Sequence, residues 1–151
     1  MSRYQIELPL PPKGCSPNVR GYWARHSGSK KEYRRYCWIK YVQAIREGAL
    51  PETFKTPVTV HLVFYLANPK IGNTTAAELN QWYLPRDVDN ARISFKPGQD
   101  ALADASLVPG DGQKHVLMGA TTLLTIQRQH KGKSCVLVTF VEPDSEITCG
   151  S

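Results

Sequence analysis

No stretch of this chain is apolar for long enough to cross a bilayer. The longest, Val58 to Ala67, contains His61 and falls well short of the roughly 20 residues a spanning helix needs. The opening residues, Met1-Ser2-Arg3-Tyr4-Gln5-Ile6-Glu7, lack the apolar core of a secretory signal, so the cytoplasm is the expected compartment. The four cysteines, Cys15, Cys37, Cys135 and Cys149, form no C-x-x-C pair, which gives a zinc site no basis and leaves reduced thiols as the expectation. Internal repeats and low-complexity tracts are absent, which excludes a solenoid. Acidic residues are few. Asp and Glu total 13 against 19 Lys and Arg, a net charge of +6. That balance suits a polyanionic partner without naming one.

What is present is ordinary globular material. The 151 residues are 41% hydrophobic and 21% charged, enough for one domain with its own core. Residues 1–151 read as a single unit, with 142–151 a frayed tail. Residues 3–9 alternate polar and apolar, which predicts a short strand ended by Pro11-Pro12. A loop spans 11–28. Ser29-Lys30-Lys31-Glu32 has the form of a capping box and predicts a helix from there to about Glu47. Tyr33, Cys37, Tyr41 and Ile45, flanked by Trp38 and Val42, make its expected buried stripe. Residues 57–66 predict a strand with Val58, Val60, Leu62, Phe64 and Leu66 on one face. A polar insert at 68–85 follows, and a segment this long is usually functional or disordered. Asp87 to Ser106 predicts a helix broken or kinked at Pro97-Gly98. After a turn at 108–112, residues 114–127 and 134–141 predict two strands joined as an antiparallel hairpin. The order is β-α-β-α-β-β. An α+β fold follows, with a mixed sheet of about four strands packed against helices.

The chemistry concentrates in Arg86-Asp87-Val88-Asp89-Asn90. Residues two apart in an extended segment point the same way, so Asp87 and Asp89 can present carboxylates to one point. A hard divalent cation relieves the repulsion between them. Asp111, flanked by Gly110 and Gly112, arrives in a turn that can close the site. Three carboxylates suit Mg²⁺. An aspartate ahead of a helix also serves as an N-cap, and spacing does not choose between these roles.

Arg86-Asp87-Val88-Asp89-Asn90, then Lys96-Pro97-Gly98-Gln99-Asp100-Ala101-Leu102, then Asp111-Gly112-Gln113, resemble the RusA family of Holliday junction resolvases. That family carries an R-D-x-D-N block, a K-x-x-x-D-A-L block and a D-D-x-Q-type turn in this order. Pro12 and Ser16-Pro17-Asn18-Val19-Arg20 resemble its upstream P-x-S-x-N-R loop. The resemblance implies that Asp87, Asp89 and Asp111 bind the metal and act in catalysis. It implies a catalytic cation at Lys96 and matches Asp100 to the helix aspartate after it. Asp100 and Asn90 read as support for the site from behind, although a solvated helix-end lysine at Lys96 and a surface carboxylate at Asp100 suit the sequence equally. It further implies Mg²⁺ as cofactor, with Mn²⁺ able to substitute, and a homodimer. The implied activity is the resolution of four-way DNA junctions by paired symmetric nicks in recombination and repair. Two departures stand out. The segment from Asn90 to Lys96 is longer than in that family, which leaves Arg92 as an alternative cation. Gly110 stands where the turn's first acid belongs.

Arg20, Arg25, Lys30, Lys31, Arg34 and Arg35 concentrate positive charge with Tyr22 and Trp23 among them. DNA phosphates would use that charge, although a solvated face has the same composition. Trp82 and Tyr83 suit either stacking on an unpaired base or packing of the insert. His61 reads as structural, His115 as a neighbour of Asp111, and His130 has no evident role. An inert junction-binding protein, or a nuclease of the same chemistry acting on flaps or duplex, remain the alternatives.

Overall fold

The computed structural model describes residues 2–12, 15, 23–66, 88–110, 112–125 and 135–144, with residues 23–27 and 125 described by backbone alone. Strand β1 is Arg3–Leu8, helix α1 Trp23–Arg46 and strand β2 Val58–Leu66. Helices α2, Val88–Ser94, and α3, Lys96–Asp104, precede strands β3, Val116–Thr125, and β4, Cys135–Val141. The four strands form one mixed sheet in the order β1-β4-β2-β3. The expected α+β architecture is therefore present, with the second helix divided in two.

The expected hairpin is not. β3 and β4 follow one another in the chain, yet β2 lies between them. β2 pairs parallel with β3 and antiparallel with β4, and β4 pairs antiparallel with β1. Alternation along a strand decides which face is buried and is silent about the neighbour. On the faces the alternation was reliable: Val58, Val60, Leu62, Phe64 and Leu66 are all buried.

His61 has the structural role expected of it. The β2–β3 register shifts between Val60 and Leu62, which places Gly119 and Ala120 opposite His61. The Ala120 N–H, displaced from the ladder, donates to His61 Nδ1 at 3.0 Å. The ring occupies the space that a Cβ on Gly119 would fill. A bulge and its satisfied donor thus explain both residues.

Helix α1 begins at Trp23, ahead of the expected start, so Ser29 lies inside it and not at its N-terminus. Gly28 weakens a helix by only about 1 kcal/mol relative to Ala, too little to stop one packed along its length. The C-terminal end is as expected. Gly48 takes φ +81°, its N–H donates to the Ile45 carbonyl, and the Ala49 N–H donates to that of Ala44. This is a Schellman ending, which needs a left-handed residue at that place. Tyr33, Cys37 and Tyr41 are buried against the sheet and α3. Trp38, expected at the stripe's edge, is 38% exposed instead.

Two further contacts fix the frame. Phe140 on β4 is fully buried between Phe54, at 4.7 Å between centroids, and Tyr41, at 6.2 Å. Glu142, expected in the frayed tail, is buried. Its carboxylate accepts the Lys55 N–H at 2.7 Å, and its own N–H donates to the Ser2 carbonyl. Burial of Glu142 with that hydrogen bond closes the end of the sheet. Residues 145–151 lie outside the described residues.

Candidate functional site

The site has to be built from α2, α3 and the first half of α1. The break between α2 and α3 falls at Phe95, just ahead of the expected Pro97-Gly98. Pro97 is tolerated because it stands in the first turn of α3, where a missing N–H leaves nothing unpaired. Gly98 is required by contact: a Cβ there would lie 2.7 Å from the Phe95 ring. The Gly98 carbonyl also accepts the buried Tyr41 hydroxyl at 2.9 Å. Lys96 is consequently the first residue of a helix whose start is pinned to the core.

Of the three expected metal ligands, Asp89 alone is described. Asp87 and Asp111 lie outside the described residues, as does Arg20 and the side chain of Arg25. Asp89 is exposed in the first turn of α2. The segment from Val88 onward is helical, so Asp89 stands in a helix and not in the extended segment expected for it. An acid in a first helical turn is also favoured by the helix dipole. Among the described residues, no three His, Cys, Asp or Glu side chains are grouped to hold a metal.

Residues 112–116, which follow Asp111 in the chain, are tied to the sheet. The N–H groups of His115 and Val116 both donate to the Gly112 carbonyl, and the His115 carbonyl accepts from Val58 at the start of β2. His115 Nδ1 is buried without a hydrogen-bond partner among the described residues. Asn90 is half-buried, and its carbonyl accepts from the Ser94 hydroxyl at 2.8 Å.

The two candidate cations differ in what they face. Arg92 Nε reaches Thr121 Oγ1 on β3 at 3.4 Å, so this guanidinium lies over the sheet. Lys96 Nζ lies 2.9 Å from Asp100 Oδ1, one helical turn on, with half its side chain exposed. Asp100 Oδ1 is itself buried. The carboxylate therefore anchors the lysine at the mouth of a cleft of about 310 Å³.

That cleft unites two groups of residues the sequence keeps far apart. Lys30, Lys31 and Arg34 of α1 line it together with Lys96 and Asp100 of α3, and Cys15 contributes to its wall. Arg34 donates from Nε and Nη2 to the two carboxylate oxygens of Asp104, at 2.6 and 2.8 Å. The hydrogen bonds from Arg34 hold the Asp104 carboxyl below its usual pKa, partly offset by desolvation. With a depressed folded pKa, the pair's contribution is present at neutral pH and fades as pH falls through that pKa. Both groups are well exposed, so it is worth at most about 1 kcal/mol. Nothing in the sequence signals this pair, whose members are 70 residues apart. Arg35 is exposed on α1.

No family model matches the sequence, and no curated protein matches it. No helix of the described residues is long and apolar enough to cross a membrane.

Proposed function

We propose that this chain is a metal-dependent endonuclease that resolves four-way DNA junctions. The observation that supports the reading is the shared cleft. The lysine that the resemblance makes catalytic and the basic helix whose charge suits DNA phosphates line one opening, although they are separated by the whole of β2 and the insert. Three carboxylates at Asp87, Asp89 and Asp111 are hard oxygen donors of the kind Mg²⁺ takes, and they are the residues that would hold it. Mg²⁺ supplies Lewis-acid polarisation of a phosphodiester and a bound water of lowered pKa. The chain's own part is to bind and position. Lys30 and Lys31 draw the backbone toward the cleft, and Lys96 offsets negative charge that builds on the phosphate during attack. Asp100 orients Lys96 through their ion pair. A two-fold dimer would present two such sites to the two opposed strands of a junction.

The direct test uses labelled four-way junction and plain duplex, each with Mg²⁺, with Mn²⁺ or with chelator, read on a denaturing gel. Paired nicks in the junction, abolished by chelator, are expected. Binding without nicks would make the chain an inert junction binder, and equal cutting of duplex would remove the junction specificity.

Two expected outcomes follow from the geometry. Lys96→Ala should slow single-turnover cleavage about 10²-fold, the scale of one lost transition-state contact, while Arg92→Ala cuts near the normal rate. The reverse order would pass the cation role to Arg92. Arg35→Ala should lower the slope of log affinity against log salt by about one unit, one phosphate contact. Arg34→Ala should lower it less, because its guanidinium is already shared with Asp104. Equal slopes for wild type and Arg35→Ala would return that face of α1 to plain solvation.

A further inference from the structure

We infer that the cleft between the first half of α1 and the start of α3 is a dedicated phosphate-binding subsite. It deepens the nuclease reading by naming what the cleft holds, a backbone phosphate of the nucleic-acid strand, and it rests on that reading only for this source of the phosphate.

The case begins with charge. Among the described residues, four cations, Lys30, Lys31, Arg34 and Lys96, line the cleft against the one carboxylate of Asp100. Asp100 is taken up by Lys96, and Arg34 is balanced by Asp104. Lys30 and Lys31 have no acidic partner among the described residues. Two adjacent ammonium groups thus border a concavity with nothing described there to neutralise them. A diffuse basic surface would spread such charges into water. Here they share the opening with two cations already held in place by ion pairs, so an anion has only Lys30 and Lys31 left to order.

The cleft's floor and size agree with this. Cys15 is 2% exposed, and burial pushes its thiol up to about 11, with the charge on Lys30 acting in the opposite direction. At neutral pH the thiol is therefore protonated and adds no negative charge to the wall. A volume of about 310 Å³ accommodates a phosphate or a diphosphate with water. Ile93 borders the same opening and is 52% exposed, a surface that the sugar of a strand can cover. Each ammonium donates charge-assisted hydrogen bonds to phosphate oxygens, the stronger class of such bonds.

The probe is inorganic pyrophosphate, titrated calorimetrically into the metal-free full-length protein at low salt. Lys30→Ala plus Lys31→Ala should weaken its binding by at least about tenfold, the loss expected from charge-assisted contacts. The same helix provides the control. Lys40→Ala plus Arg46→Ala removes equal charge from α1 at residues that do not line the cleft and should change binding less than about twofold, a screened long-range effect. Thermal melting checks that both variants remain folded. Equal weakening by the two pairs, or no measurable pyrophosphate binding by the wild type, overturns the subsite. A four-way junction added to the pyrophosphate complex should displace the anion. Failure to displace it overturns the nucleic-acid strand as the source. Junction cleavage is read in parallel on the wild type. Site-specific pyrophosphate binding without cleavage would retain the subsite and reject the nuclease, whereas cleavage without such binding would do the opposite.

Discussion

Asp89→Asn is expected to slow junction cleavage about 10³-fold while leaving junction affinity within about twofold of wild type. The substitution keeps the size and shape of the side chain and removes one negative charge. Asp89 is exposed in the first turn of α2, so no core contact is lost and the fold should persist. Loss of the dipole interaction at that helix start costs at most about 1 kcal/mol. The large effect would fall on catalysis because, in the proposed reading, Asp89 is a ligand carboxylate, which sets both the charge and the position of a hard cation. In the proposed reading, binding would be carried elsewhere, by the basic residues of α1. Removal of an acid that faces phosphate can even tighten it. The measurement pairs single-turnover cleavage with a gel-shift titration in chelator. Normal cutting by the variant would remove Asp89 from the metal site. A folded variant that no longer binds the junction would show that binding and cleavage are not separable in this chain.

Phe95→Ala is expected to destabilise the protein by about 3–5 kcal/mol, the usual cost of emptying a buried phenylalanine site. Phe95 is 1% exposed at the break between α2 and α3. Its ring meets Tyr33 edge-on at 6.4 Å and covers Gly98. Its N–H donates to the carbonyls of both Ala91 and Arg92, and its own carbonyl accepts from Gln99. One residue therefore ends α2, starts α3 and anchors the joint to α1. Urea denaturation gives the magnitude. Gly98→Ala supplies an internal check, because its cost comes from collision with the Phe95 ring. In the Phe95→Ala background the collision partner is gone, so Gly98→Ala should cost markedly less than in wild type, a coupling of about 1 kcal/mol or more. Additive effects would show that Gly98 is needed for another reason, such as its carbonyl bond to Tyr41. Lys96 is the next residue along the chain, so the folded fraction of Phe95→Ala should also cleave more slowly than wild type.

The amino-acid sequence by itself determined what depends on near neighbours. Alternation in β2 decided its buried face, Val58 to Leu66. The Tyr33, Cys37 and Tyr41 spacing decided the core side of α1, and Gly48 decided where that helix ends. Pro97 and Gly98 announced an interruption close to the real one at Phe95. These properties follow from backbone geometry over a few residues, so they survive without knowledge of the rest of the chain. The candidate acids and lysine were legible only as residue types in a resembling order, which says nothing of distance. Tertiary structure alone decided the insertion of β2 between β3 and β4, the helical setting of Asp89, and the cleft shared by Lys30, Lys31 and Lys96. It also decided that Arg34 would meet Asp104. The physical reason is the same in each case. Strand neighbours and the meeting of α1 with α3 are chosen by which apolar faces can be buried together, a global packing condition that no short window of sequence contains.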